Sequence, residues 1–333
     1  MYLIIYCNNI LQLLARMLFG LTLSEISTAK LLKKIELKFN GKFQASTYNK
    51  IKKFQGIHQY IINDSFAELE NRYTNKIEIE NNKLYFILAF LYDDLMDDQI
   101  VSKEELNEMF LNPTQAKPKS FSELALIDTH LKLLTRINDK EAYHKVLNNI
   151  HQAQIDSVQQ LKAEISLKNI IDITERKGGY SLLMCKYYID ISSNKNNDDC
   201  WYQLGGLIQM TNDLYDIYKD TLAGINTFAN TQNSYEKIRD NYESQIHKYK
   251  LSIQKLEYKD SKKIKFSIKL SLIPALGYVA LENLKRLKGR NELLLPFKDY
   301  ARKDLIIDME KIKNVAKLFK YSYQITKNKK IQL

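Results

Sequence analysis

The stretch "NNKLYFILAFLYDDLMDDQ" (81–99) decides the fold. From Leu84 to Tyr92 it carries only apolar and aromatic side chains, and it then sets down Asp93, Asp94, Asp97 and Asp98. A helix that is apolar all the way round belongs in the middle of a bundle. At 3.6 residues per turn, Asp93 shares a face with Asp97, and Asp94 with Asp98. Like charges one turn apart repel, and the carboxyl end of a helix already carries negative partial charge. Each effect costs some tenths of a kcal/mol in water, and both have the same sign. A bound cation would reverse both. A solvated acidic helix end is the alternative reading. The buried run before the cluster favours carboxylates at the mouth of an interior cavity.

Working outward, the whole chain reads as helical. Its 333 residues are 45% hydrophobic and 27% charged, with only 10 Gly and 4 Pro. Sheets need many tight turns, which Gly and Pro supply, so their scarcity favours long helices. Apolar periodicity predicts helices over 1–20 and 24–37, then over 121–137, 140–167, 168–191, 199–224, 232–258, 262–288 and 304–325. "SKEE" (102–105) has the capping-box pattern, "LNPTQAKPKS" (111–120) reads as a loop, and "SSNKNNDD" (192–199) as a polar connector. The expectation is one all-α domain over 1–333, a bundle of about ten helices with a central cavity, with 1–40 as a peripheral helical segment. The opening "MYLIIYCNNILQLLARMLFGLTLSEIS" lacks the charged start of a secretory signal. Asn8, Asn9, Gln12 and Arg16 interrupt it too often for a spanning helix. It reads as a core or interfacial helix.

Cys7, Cys185 and Cys200 have no disulfide or metal-ligand spacing, and the five histidines form no zinc motif. A reduced, cytoplasmic setting follows as the expectation. No glycine-rich nucleotide loop is present. A net charge of +11 favours an anionic partner: nucleic acid, an anionic membrane or a phosphorylated small molecule.

"WYQLGGLIQMTNDLYDIYKD" (201–220) is a second polar stripe on an apolar helix. Asn212, Asp216 and Asp220 follow at i, i+4 and i+8, with Asp213 beside them and Lys219 before the last acid. Two oxygen-rich stripes on two buried helices suggest one site between facing helices. Oxygen ligands without His or Cys suit Mg²⁺, which keeps waters and completes its shell with phosphate oxygens.

At these residues the chain resembles class I isoprenoid synthases. DDLMD (93–97) is similar to their aspartate-rich DDxxD motif. NDLYDIYKD (212–220) resembles the NDxxSxxxE metal motif of terpene synthases, with Asp216 where that motif has Ser or Thr and Asp220 where it has Glu. The longer LGGLIQMTNDLYDIYKD also looks like a stretch of squalene and phytoene synthases. The resemblance implies a helical bundle holding two or three Mg²⁺ ions on Asp93, Asp94, Asp97, Asn212, Asp216 and Asp220. The implied substrate is a prenyl diphosphate. Two features depart from the chain-elongating members: no GGKxxR-type segment lies early, and no Arg-Arg-Gly follows Asp98.

"ITERKGGYSLLMCKYY" (173–188) resembles the broken helix of terpene synthases. By that likeness Arg176 senses diphosphate, assisted by Lys219, while Lys177, Gly178, Gly179 and Tyr180 face the substrate. Two glycines in a helical pattern also predict a kink or a close approach. Arg302, in "YARKD" (300–304), is a further diphosphate contact by the same likeness, and a basic surface loop is the alternative. Phe90, Tyr180 and Tyr215 are candidates for stabilising a carbocation through their ring faces. Ordinary core packing is the alternative for each.

These residues imply Mg²⁺-dependent ionisation of a prenyl diphosphate, followed by cyclisation or elimination. Head-to-head condensation of the squalene or phytoene synthase type is the alternative enzyme. A non-catalytic basic helical protein that binds RNA or membrane is the alternative from another class. With the enzyme reading, no nucleic acid is expected as a partner; homodimerisation and peripheral membrane association are.

Overall fold

Scarce Gly and Pro leave helices uninterrupted, and the computed structural model is all-helical. It describes residues 2–97, 101–191, 194–289 and 293–327, without the side chains of Asp97 and Lys103. Asp98 lies outside the described residues. Among those described, the sole β feature is one isolated bridge between Ser234 and Leu293. The helices are more numerous than the ten expected, because several predicted ones are broken or flanked by short turns.

Backbone contacts divide the chain into two units. The amino-terminal unit spans Cys7–Asn148 with Met184–Ile191. It takes in most of α1 (Tyr2–Lys38), followed by α2 (Ala45–His58), α3 (Asp64–Leu69), α4 (Lys76–Asp97), α5 (Lys103–Leu111), α6 (Phe121–Leu134) and the start of α7 (Lys140–Ser157). The helix read from the opening stretch, α4, is its centre, packed on α2 and α6. Leu84, Ile87, Leu88 and Leu91 are almost fully buried. The capping box at Ser102 forms as predicted, with reciprocal hydrogen bonds to Glu105.

Where two helices were expected, over 1–20 and 24–37, the structure has one, Tyr2–Lys38. Gly20 serves a close approach instead of a break: its carbonyl accepts from Tyr60 Oη (3.2 Å), and a Cβ there would overlap the Tyr60 ring. Only 22% of the most apolar window of α1 is buried, so the helix is not a core element.

A π-helical turn, Gln59–Asn63, links α2 to α3 and gathers buried polar groups. His58 Nδ1 donates to Asn82 Oδ1 (2.9 Å), and Asn82 Nδ2 donates to the Gln55 carbonyl (2.8 Å).

The other unit comprises Met1–Tyr6, Asn149–Leu183 and Ser192–Leu333. Its helices are α8 (Leu167–Met184), α9 (Lys195–Tyr215), α10 (Ile217–Leu222), α11 (Tyr235–Lys255), α12 (Asp260–Leu270), α13 (Leu272–Leu287), α14 (Arg302–Leu305) and α15 (Ile312–Lys327). Here α9 is central, packed on α11 and α13. Trp201, Leu204 and Leu207 show no exposure. Thr211 Oγ1 and Tyr242 Oη share a hydrogen bond (2.8 Å) between α9 and α11.

The predicted helix 262–288 divides at Ser271. Pro274 has no N–H for the carbonyl one turn back, so it is tolerated only in the first turn of a new helix. The predicted helix 199–224 divides at Asp216, whose backbone (φ −95°, ψ 8°) caps α9. The i to i+4 bonds survive that bend, from Asp216 N to the Asn212 carbonyl and from Asp220 N to the Asp216 carbonyl, each 2.8 Å.

Candidate functional site

The second motif occupies the junction of α9 and α10. Because the hydrogen bonds persist across the bend, Asn212, Asp216 and Asp220 keep their common stripe. Asn212 and Asp216 are exposed, and Asp220 is half-buried. The most buried acid of this motif is the neighbour, Asp213. Its carboxylate accepts from Gln209 Nε2 (3.1 Å) and from Thr174 Oγ1 of α8 (3.3 Å). Burial, and then the nearby Asp220 carboxylate, push Asp213 up to about 7, while those hydrogen bonds and the Lys177 ammonium oppose the shift. Asp220 is pushed up to about 6, by desolvation first and by Asp216 next, against the pull of Lys219 and Lys177. Carboxyls that resist ionisation in this way mark a place where added positive charge is favourable.

On the other flank of Asp216 an open pocket of about 480 Å³ is lined by Tyr215, Asp216, Lys219 and Arg302, with Tyr218, Leu222, Ala223 and Ile306 as neighbours. Four residues predicted separately from two distant stretches therefore meet here. Lys219 and Arg302 are exposed. Among the described residues neither makes an ion pair within 4.0 Å, so both cations are available to an anion. Tyr215 forms one wall, fixed by hydrogen bonds from its hydroxyl to the Leu276 carbonyl (3.3 Å) and Met309 Sδ (3.2 Å). Tyr300 is occupied elsewhere: its hydroxyl donates to the Leu287 carbonyl and accepts from Leu295 N.

The glycine-bearing segment behaves differently from a broken helix. Throughout Gly178 and Gly179, α8 is continuous. The glycines permit close approach to α9 instead. A Cβ on Gly178 would overlap the Gly205 carbonyl oxygen and come within 2.6 Å of Gln209 Cβ, and one on Gly205 would overlap the Gly178 carbonyl oxygen. A Cβ on Gly179 would press on the Tyr202 ring, and Tyr202 is held edge-to-face by Tyr180 (5.0 Å). Arg176 is committed within its own unit, with Nη1 2.8 Å from Asp156 and Nε 2.8 Å from Asp172. Of the two basic residues before the glycines, Lys177 is therefore the one whose charge reaches the acids of α9 and α10.

Asp93, Asp94 and Asp97 belong to the amino-terminal unit. Asp93 and Asp94 are half-buried at the end of α4. Asp94 accepts a short hydrogen bond from the buried Thr47 hydroxyl. The side chain of Asp97 lies outside the described residues, as does all of Asp98. Phe90 sits with Phe54 (6.0 Å) and Phe86 (5.9 Å) in an aromatic row.

Asn212, Asp216 and Asp220 are hard oxygen donors, so their chemistry fits Mg²⁺. Among the described residues no three His, Cys, Asp or Glu side chains converge as a ready-made metal cage. An ion here would draw on one or two carboxylates and Asn212, with water and phosphate oxygens completing its shell. Sequence reasoning placed Asp213 beside the stripe without assigning it a role. The signal it lacked was the partner helix, because Thr174, Lys177 and Gly178 reach α9 only through the fold. No known family model matches the chain, and no curated protein matches it at a significant level.

Proposed function

We propose that the chain is a class I terpene synthase-like enzyme that ionises a prenyl diphosphate. One observation carries the reading: Asp216, Lys219 and Arg302 share one pocket at the end of the NDLYDIYKD stripe. Acid and base side by side suit a metal-bridged polyanion, with carboxylates for the metal and cations for the phosphate oxygens. Asn212, Asp216 and Asp220 would hold Mg²⁺, which would supply Lewis-acid stabilisation of the departing diphosphate, and the resemblance makes Asp93, Asp94 and Asp97 of the amino-terminal unit further metal-ligand candidates. Lys219 and Arg302 donate charge-assisted hydrogen bonds to the same oxygens as the carbon–oxygen bond breaks and its electron pair leaves with pyrophosphate. Lys177 balances the Asp213 and Asp220 pair, and Arg176 braces α8. Tyr215 would present a ring to the allylic cation, with Tyr180 as a further aromatic candidate. The cation then cyclises or loses a proton.

The test is pyrophosphate release from geranyl, farnesyl and geranylgeranyl diphosphates, with Mg²⁺ and with a chelator. Release that requires Mg²⁺ and disappears in the Asp94→Ala, Asn212→Ala double variant supports the reading. Release indifferent to both would sink it. Product mass separates this chemistry from head-to-head condensation, which doubles the carbon count.

A further inference from the structure

The first helix wears its apolar side outward. At about 100° per residue, Ile4, Leu11, Leu18, Phe19, Leu23 and Ile26 fall on one face of α1. All six are exposed, with Leu18 at 75% and Phe19 at 80%. The opposite face carries Leu13, Ser24 and Thr28, all buried. A surface helix normally has the reverse arrangement. The strip from Ile4 to Ile26 is about 33 Å long at 1.5 Å per residue; only the uncharged Asn8, Gln12 and Thr22 interrupt it as exposed polar residues, and monomeric proteins seldom leave so large an apolar surface bare.

Charge on this helix is arranged to match. Arg16 is the sole ion between Tyr2 and Ser24. It is turned from the apolar strip, paired with Asp64 and stacked 3.7 Å from the Tyr73 ring centre. One turn beyond Ile26 the same side of the helix becomes basic, with Lys30, Lys33 and Lys34 exposed. The strip offers no exposed acid, and the whole chain carries +11.

We propose that this face of α1 lies in the headgroup–acyl boundary of an anionic bilayer, parallel to its surface, with Lys30, Lys33 and Lys34 against the headgroups. A second copy of the helix is a poorer match, because three lysines would meet no acid on an identical strip. Spanning the bilayer is also disfavoured. The inner side is tied to its own unit by Arg16 with Asp64, by Ser24 Oγ with Gln55 (2.9 Å) and by Ser27 Oγ with Lys83 (2.6 Å).

Flotation of the full chain with vesicles tests the proposal. One set is phosphatidylcholine alone and the other is mixed with phosphatidylglycerol. The wild type should float on mixed vesicles at least about tenfold better than on neutral ones, and less so at high salt. Leu18→Glu with Phe19→Glu, and separately Lys30→Glu with Lys33→Glu and Lys34→Glu, should each cut binding about tenfold or more. A Phe19→Trp variant gives a second readout, a blue shift of emission on mixed vesicles over the constant background of buried Trp201. Equal flotation on neutral vesicles, no flotation, no blue shift, or an α1-dependent dimer that ignores vesicles would each overturn it. No substrate enters these measurements, so their outcome is separate from that of the diphosphate assay.

Discussion

Gly178 on α8 and Gly205 on α9 meet backbone to backbone, and each occupies the space where the other's Cβ would lie. The contact sets the distance between the helix bearing Lys177 and the helix bearing Asp213. Gly178→Ala or Gly205→Ala should push these helices apart. Overpacking of this kind costs about 1–3 kcal/mol, and here the obstacle is backbone that cannot swing aside. The denaturant midpoint should fall for either variant. Gly289→Ala is the control: among the described residues a Cβ there meets only the Leu293 carbonyl oxygen, at 3.6 Å, and should leave the midpoint nearly unchanged.

The same contact explains what could be read in advance. Gly178 and Gly179 stood out as two helix-weakening residues in a periodic run, which implies a kink or a close approach. Choosing between these needs the identity of the facing helix, and sequence spacing does not carry that. The buried centre α4 was legible because its apolar residues go right round the helix, and α9 because Leu204, Leu207, Ile208 and Met210 surround its polar stripe. The exposure of α1 was not, since periodicity reports that a face is apolar without saying what covers it. Asp216 and Arg302 were legible as chemistry and not as neighbours. They are separated by α11, α12 and α13, and only folding brings them to one pocket.

On the proposed function, Lys219 and Arg302 differ in role from Arg176, although the sequence reading grouped them. Lys219→Ala and Arg302→Ala remove cations aimed at the pocket and should each lower pyrophosphate release about a hundredfold, the usual effect of losing one preorganised donor. Thermal stability should hardly change, because both side chains are exposed. Arg176→Ala breaks the links to Asp156 and Asp172 and should lower stability more than turnover. Measuring both quantities on all three variants checks the assignment. A larger catalytic loss at Arg176 than at Lys219 would return the diphosphate role to Arg176.

Two buried histidines give the amino-terminal unit a pH dependence of known sign. Burial pushes His58 down to about 4, against the hydrogen bond with Asn82. Burial, and then His144, push His130 down to about 4 as well. Both therefore stay neutral in the folded chain, while an unfolded histidine charges near 6.5. As pH falls from about 6.5 to about 4 the unfolded state takes up protons that the folded state does not, so stability is lost through that window. By pH 5 each histidine accounts for about 2 kcal/mol. Asp213 and Asp220, with raised values, act in the opposite direction, so the informative quantity is a difference between variants. Replacing His58 with Gln should flatten the fall in denaturant midpoint between pH 7 and pH 5, relative to the wild type. An unchanged slope would remove His58 from the account.

The ion pair that anchors α1 within the amino-terminal unit provides the last test. The Asp64 side chain is only 2% exposed and pairs with Arg16. It also accepts from Thr74 Oγ1 (2.5 Å) and Thr74 N (3.3 Å). Removing one partner of a buried pair costs about 3–5 kcal/mol when the remaining charge is left alone. Thr74 keeps part of the compensation here, so Arg16→Ala should cost less than that, about 2–3 kcal/mol. The pair also keeps the guanidinium off the apolar face of α1, stacked over Tyr73. Asp64→Asn leaves a neutral acceptor for Thr74 but frees Arg16 from its counter-ion. In a double-mutant cycle, the Arg16→Ala, Asp64→Asn combination should cost clearly less than the sum of the single changes, since the second substitution removes the charge that the first stranded. Strict additivity would mean that the two side chains do not act as a pair and that α1 is held by its apolar inner face alone.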